Sequence, residues 1–298
     1  MADRQATVTY YYHSGFSVAV GETLLIFDYW RGDRGQLPRR AWITDWELRK
    51  YEQVLVFVSH SHEDHYDTAI FSWDYHHLPI TYILSEDLVK LPDVPKLPVD
   101  LDRQARIVAP GDRLTLGETE IRVFDSTDLG VSFYVTLDGL RIFHAGDLNL
   151  WHWREESTPR EITRAENAYY AAVAPIERLP IDIAMFPVDP RMGGLYDAGA
   201  NHFVMSVKPR LFIPMHWQDR PEVAQDYARK GHTKFTEILA LTKPRERAEL
   251  EFSEHELRIH VFTWADVTPE EEEEKADVKL DAYAPTDPFS DTDLPVQL

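Results

Sequence analysis

The stretch VSHSHEDHYD, residues 58–67, places three histidines and three acidic side chains within ten positions, directly after the apolar run VLVFV. A run so rich in β-branched and aromatic residues predicts a strand buried on both faces. His60 and His62, two positions apart at its end, can point the same way and share one metal ion. Asp64 and His65 lie one short turn further on and can serve a second. Imidazole and carboxylate are ligands for zinc, iron or manganese, and an open position on such an ion lowers the pKa of bound water toward neutrality.

Composition narrows the setting. The chain has 298 residues, 44% of them hydrophobic, enough for one large domain or two closely fused halves. Cysteine is absent, which excludes disulfides, thiolate zinc ligands and a cysteine nucleophile, so any metal must be held by His, Asp or Glu. No apolar run approaches the ~18 residues of a membrane span. MADRQATVTYYY at the N-terminus lacks the basic-then-apolar pattern of a secretory signal, and a cytoplasmic location is expected. The formal charge of −20 repels phosphate backbones, so a small-molecule substrate is expected rather than a nucleic acid or a membrane. Part of that charge is local. TPEEEEEKAD (268–277) and the tail beyond it are acidic and proline-bearing, which divides the chain into a folded domain, 1–266, and an acidic C-terminal extension, 267–298.

Alternation in TVTYYYH, FSVAV and TLLIFDYW predicts an N-terminal strand and hairpin, and EQVLVFVSH (52–60) a buried strand. YDTAIFSWDYHH (66–77) reads as a short helix and PITYILS as a strand. Two further hairpins follow, GDRLTLGETEIRVFDS and GVSFYVTLDGLRIFHAGD, the second turning at Asp138–Gly139. TRAENAYYAAVAPIERL is helical, IDIAMFPVD a strand, NHFVMSVKP a short helix and RLFIPMH a strand. AELEFSE and ELRIHVFTW pair at the end. Residues 8–30 and 121–147 share one rhythm of strand, polar loop, hairpin and strand-end aspartate (Asp28, Asp147). That weak repeat argues for an α/β (α+β) fold of two facing sheets flanked by helices.

HSHEDH (60–65) resembles the signature of the metallo-β-lactamase superfamily, and the likeness runs from about Thr7 to Trp264. It implies a four-layer αββα sandwich built from two similar halves. FHAGD resembles the strand-end motif whose aspartate bridges both metals, here Asp147. FIPMHW resembles the late strand that delivers the last ligand, here His216. HSGF (13–16), with LIFD and FHAGD, most resembles the branch containing ascorbate-phosphate lactonase and related intracellular hydrolases. One position departs from the pattern: aligning GVSFYV puts Ser126 where a third histidine is usual. The first ion would then keep His60, His62 and Asp147. Asp128, or Ser126 through a water, would complete that site, or the site is weakened or empty. A carboxylate there would let manganese or iron compete better with zinc.

His13 ends the first strand at the counterpart of the 126–128 loop and is expected at the active site, behind a ligand or against substrate. Asp28 is expected to accept a hydrogen bond from a ligand histidine, or to cap its loop. His202 is weighed as a pocket residue, His144 as a hydrogen-bonded core histidine, and His76, His77, His232, His255 and His260 as structural. Trp30, Trp151 and Trp153 either wall the cleft or pack in the core, the latter favoured.

The reading is a hydrolase with one or two divalent ions, most simply zinc. A metal-bound hydroxide attacks a carbonyl or phosphoryl centre, and Asp64 or Asp147 orients it and moves its proton. By resemblance the substrate is a small lactone, ester or phosphorylated compound. The alternatives are a phosphodiesterase of the same fold and, because of Ser126, a degenerate metal-binding protein without turnover. Di-iron redox chemistry ranks lower, since His62 stands where that branch carries glutamate. Relatives of this fold often form homo-oligomers, and the sequence is compatible with one.

Overall fold

In a computed structural model, which describes residues 4–263 except 99, 152, 154, 155 and 232, the run Gln53–Val58 forms a strand buried on both faces. It pairs in parallel with a strand on each side, the setting that favours an unbroken apolar run. Numbered in chain order, the first sheet holds β1 (Arg4–Tyr10), β2 (Phe16–Val20), β3 (Thr23–Phe27), β4 (Gln53–Val58), β5 (Ile80–Ser85) and β6 (Ala105–Val108). Two strands from the far end of the described chain, β14 (Arg247–Phe252) and β15 (Leu257–Phe262), extend it past β1, giving the order β15-β14-β1-β2-β3-β4-β5-β6. The second sheet holds β7 (Arg113–Leu116), β8 (Thr119–Asp125), β9 (Val131–Leu137), β10 (Leu140–His144), β11 (Ile183–Pro187), β12 (Leu211–Met215) and β13 (Glu237–Ile238), ordered β13-β12-β11-β10-β9-β8-β7.

The repeat read from sequence is a repeat of topology. β1-β2-β3 and β8-β9-β10 are antiparallel meanders, and each continues through parallel strands, β4-β5 and β11-β12. The β9–β10 hairpin turns at Asp138–Gly139, both at positive φ (46° and 71°), as a tight primed turn requires.

The sheets face each other across one apolar core, where Phe57 of β4 meets Phe133 of β9 edge-on at 5.1 Å. Helices α3 (Pro159–Val173), α4 (Ala198–Val207) and α5 (Pro221–Lys230) add their buried faces to it on the side of the second sheet. Phe203 of α4, for example, stacks on Phe143 and meets Phe186 at a tilt. Proline at the first turn and a Thr158–Glu161 capping box start α3. The outer side of the first sheet carries short elements, α1 (Asp45–Leu48), α2 (Asp87–Lys90) and the 3-10 turn Thr68–Ser72, whose Ile70 carbonyl accepts from Tyr82 Oη at 2.7 Å. The layers are those of the αββα sandwich.

The helix expected over 66–77 is only that five-residue turn. Asp67 caps Ala69 N at 2.8 Å and Trp73 Nε1 donates to Ile43 O, so side-chain anchors hold the segment alongside a few isolated turn hydrogen bonds, such as Ile70 N to Asp67 O, instead of a continuous helical ladder. No described helix is long and apolar enough to cross a membrane. The acidic extension, 267–298, and His232 lie outside the described residues.

Candidate metal centre

Beyond Val58 the chain is pinned before it reaches the histidines. Ser59 donates through its amide and hydroxyl to Asp28, at 2.7 and 2.6 Å. Asp87, opening α2, accepts from Ser61 N at 2.8 Å. The His62 carbonyl then accepts from the amides of His65 and Tyr66, a single helical turn that swings Asp64 and His65 round to the same place. From the second sheet, Gly130 and Gly146 press against Ser59. A Cβ at 130 would stand 2.0 Å from Ser59 O, and one at 146 would stand 2.7 Å from Ser59 Cβ. Both glycines have positive φ, and Val131 N donates to Ser59 O at 2.9 Å. The ends of β4, β9 and β10 thus meet backbone to backbone.

Among the described residues three overlapping donor groups result, the donor atoms of each lying within 4.8 Å of one another: His13, Asp64, His65 and His216; His60, His65 and Asp147; His62, Asp128 and Asp147. Asp147 sits between them, with Oδ1 3.0 Å from His65 Nε2 and 3.2 Å from His216 Nε2, and Oδ2 3.6 Å from His60 Nε2. His60 Nε2 lies 3.0 Å from His62 Nδ1, and Asp128 Oδ2 lies 3.9 Å from that same His62 nitrogen. Behind the rings stand three supports. Asp28 Oδ2 meets His65 Nδ1 at 2.7 Å, Asp189 Oδ2 meets His216 Nδ1 at 2.9 Å, and Ser59 Oγ meets His60 Nδ1 at 2.9 Å.

Electrostatics divides the imidazoles. Burial opposes charge on His216, yet Asp147 and Asp189 push it up to about 9. His65 is likewise raised against its burial by Asp147 and Asp28. Burial, reinforced by a neighbouring imidazole, holds His13 down at about 4 and His60 at about 3. The carboxyls of Asp147 and Asp64, although desolvated, are held below the usual range by the surrounding rings. His65 Nε2, His216 Nε2, Asp147 Oδ1 and both His13 nitrogens are buried with no hydrogen-bond partner among the described residues. Their contacts are close but lack hydrogen-bond direction. Orphaned lone pairs of nitrogen and carboxylate oxygen, converging on one space, fit a divalent cation.

The group opens onto a cleft of about 390 Å³ lined by His62, Asp64, Thr127, Asp128, Asp147, Trp151, Trp153 and Arg191. Trp151 and Trp153 stack in parallel, ring centres 5.9 Å apart, and wall it instead of packing in the core. Trp30 contacts Tyr12 and His13. Of the two residues weighed for the missing histidine, Asp128 joins a donor group, whereas Ser126 accepts from Asp128 N at 3.4 Å within its own loop. His202 is not brought to the cleft. Its ring packs on Tyr169 and Tyr170, because α4 lays it against α3. His144 is a core histidine, its Nε2 2.9 Å from Ser14 O and its ring stacked on Phe27. His76 and His77 pair with Asp100 and Asp74 at the surface. Asp189 and Arg191 are not singled out by any spacing in the sequence. The available signal was a third strand-end aspartate, in FPVDPR after β11.

Two facing sheets of repeated topology, with histidines and aspartates gathered at one end, define a metal-site sandwich. Residues 7–166 match the family model of the beta-lactamase superfamily domain, and the chain belongs to that superfamily. It is 26% identical over 234 residues to a UPF0173 metal-dependent hydrolase of Opitutus terrae, covering 74% of this chain and 88% of that protein. Among solved structures it is similar to Igni18, a metallo hydrolase of Ignicoccus hospitalis (TM-score 0.56, 21% identity, 84% of this chain and 100% of the other). CmlA, a diiron beta-hydroxylase of Streptomyces venezuelae, shares the fold at TM-score 0.53 and 14% identity, over 84% of this chain and 54% of its own.

Proposed function

We propose that the chain is a metal-dependent hydrolase acting on a small lactone, ester or phosphorylated compound that carries an anionic group. The observation that carries this reading is the set of buried, unpartnered donors on His65, His216 and Asp147 beneath the cleft. His60, His62, Asp128 and Asp147 would hold one ion, and Asp64, His65 and His216, with Asp147 shared, the other. Bound there, such ions supply Lewis acidity and bring the pKa of water toward neutrality. Zinc suits the imidazoles, while the oxygen of Asp128 gives manganese or iron a better footing.

The chain's own residues do the rest. Asp64, its side chain 29% exposed on the cleft, is placed to take a proton from a water there and release it to solvent, whereas Asp147 is almost fully covered. The two indoles offer an apolar face that sheds water from the substrate. Arg191 spends Nε and Nη2 on Asp189, which leaves Nη1 for a substrate phosphate or carboxylate. Its side chain is half exposed, and it is the cation among the described lining residues. The resemblance to the ascorbate-phosphate lactonase branch points the same way, and a cytoplasmic location is part of the same proposal.

The test is a panel of lactones, carboxylic esters, phosphate monoesters and phosphodiesters offered to zinc-, manganese- and iron-loaded protein. Hydrolysis lost in His60→Ala, and an Arg191→Ala variant whose KM rises roughly tenfold for anionic but not neutral substrates, is the expected pattern. Turnover of no substrate, or identical rates in parent and His60→Ala, would leave a metal-binding protein without chemistry.

A further inference from the structure

We propose that His13 is itself a ligand of the ion held by Asp64, His65 and His216. The proposal rests on the metal-dependent reading above and adds a donor from outside the histidine motif. One atom each from His13, Asp64, His65 and His216 forms a group within 4.8 Å. The His13 ring packs 4.0 Å from that of His216 and stands edge-on to His65 at 5.6 Å, and its Nε2 is 3.2 Å from Asp64 Oδ2. The side chain is 1% exposed, and neither ring nitrogen has a hydrogen-bond partner among the described residues. A buried imidazole with both nitrogens orphaned is costly unless something else meets its lone pair.

The backbone is shaped for this placement. His13 and His216 both lie in the left-handed region, at φ 56° and 63°. Non-glycine residues persist there only where the surroundings over-determine them. The amide of His13 donates to Tyr10 Oη at 2.9 Å, and the amide of His216 reaches the carbonyl of His13 at 3.4 Å. Two strained residues from opposite halves are therefore tied together with their rings in one group. His13 is absent from the cleft lining, so substrate contact does not account for it. Its loop, between β1 and β2, is the topological counterpart of the loop between β8 and β9 that offers Asp128. Each matching loop thus feeds one ion. With Asp147 shared, His13 would bring the protein donors of that ion to five, a filled set that leaves the open position to the ion nearer the cleft.

His13→Gly is the informative variant, because glycine accepts the local backbone without strain. Full-length parent and variant are loaded with cobalt(II), their imidazole ligands counted by X-ray absorption, and the ions titrated with a chelator. The expected result is a loss of about one imidazole per chain and a roughly tenfold or greater weakening of one ion. Added free imidazole should restore both, which a purely structural role would not allow. If the glycine variant fails to fold by circular dichroism, His13→Asn, which also tolerates this backbone, takes its place. Equal imidazole count and affinity in parent and variant would overturn the proposal. A parent that binds no ion would instead overturn the metal-dependent reading itself.

Discussion

Asp28 and Asp147 face opposite nitrogens of one imidazole: Asp28 Oδ2 is hydrogen-bonded to His65 Nδ1 at 2.7 Å, and Asp147 Oδ1 lies 3.0 Å from His65 Nε2. The two aspartates follow β3 and β10, equivalent strands of the two halves. Topology delivers two carboxylates to one ring, and their surroundings then separate their tasks. Asp28 is fully buried and also accepts both donors of Ser59, so it can only support; Asp147 keeps an unpartnered oxygen.

Replacing Asp28 should therefore damage the centre without removing a ligand. Asp28→Asn leaves two Ser59 donors and the His65 ring with a weaker, mismatched partner. Metal affinity is expected to fall about 10–100-fold, and stability by about 1–3 kcal/mol. Chelator competition and denaturant unfolding measure the two. Unchanged affinity would show that His65 is oriented by something else.

Asp128 and Ser126 can be separated directly. Since only Asp128 joins a donor group, Asp128→Ala should cost the protein the ion nearer the cleft, while Ser126→Ala should leave the metal count as it was. Mass-spectrometric metal content per chain decides this. Loss of metal in Ser126→Ala would restore the serine as the replacement for histidine.

The joint between the sheets predicts a contrast between two glycines. A methyl at Gly130 would collide with Ser59 O at 2.0 Å, whereas Gly21, also at positive φ (54°), has open space around it. Gly21→Ala should cost about 1 kcal/mol of backbone strain. Gly130→Ala should cost more than about 3 kcal/mol and displace His60, because β9 must move off the motif. Similar melting temperatures for the two would mean the sheets can separate there freely.

Without metal, Asp147 and Asp189 outweigh burial and push the folded His216 up to about 9, against an ordinary value of 6.5. A raised folded pKa gives stability that is complete below pH 6.5 and is lost as pH climbs through 9, about 3 kcal/mol over the window. His65 shifts in the same sense, while His13 and His60, shifted down, act below that range. The stripped protein should melt lower at pH 9 than at pH 6.5. Metal-loaded protein should lose or reverse that slope, since ligation requires neutral rings. A flat profile in the stripped protein would contradict the charge assigned to His216.

Much of this site could be read from local spacing. His60, His62, Asp64 and His65 occupy one turn after one strand, so their proximity needs no knowledge of the fold. Asp147 and His216 required a resemblance, and Asp28 and His13 required noticing the repeat. Asp189 and Arg191 escaped because their importance depends on β11 and β12 lying side by side, which no short window contains. For Trp151 and Trp153 the sequence leaves cleft wall and core packing both open and favours the core, because composition cannot tell a stacked wall from a packed interior. α5, by contrast, is legible without the fold: PEVAQDYARK carries proline at its start and Arg229, Lys230 and Gly231 at its end.

The place of β1 between β2 and β14 has a bearing on how the protein is made. Arg4 lies opposite Phe252, so almost the whole described chain must leave the ribosome before the first strand gains its second neighbour. Until then it presents a bare edge, and the donor set stays incomplete, since His216 follows β12. Such distant pairing is slow, and the exposed edge is the one other chains could join. A stalled nascent chain ending before Leu211 should hold no ion tightly. Metal capture then comes as the closing event of biosynthesis, a seal on a finished molecule.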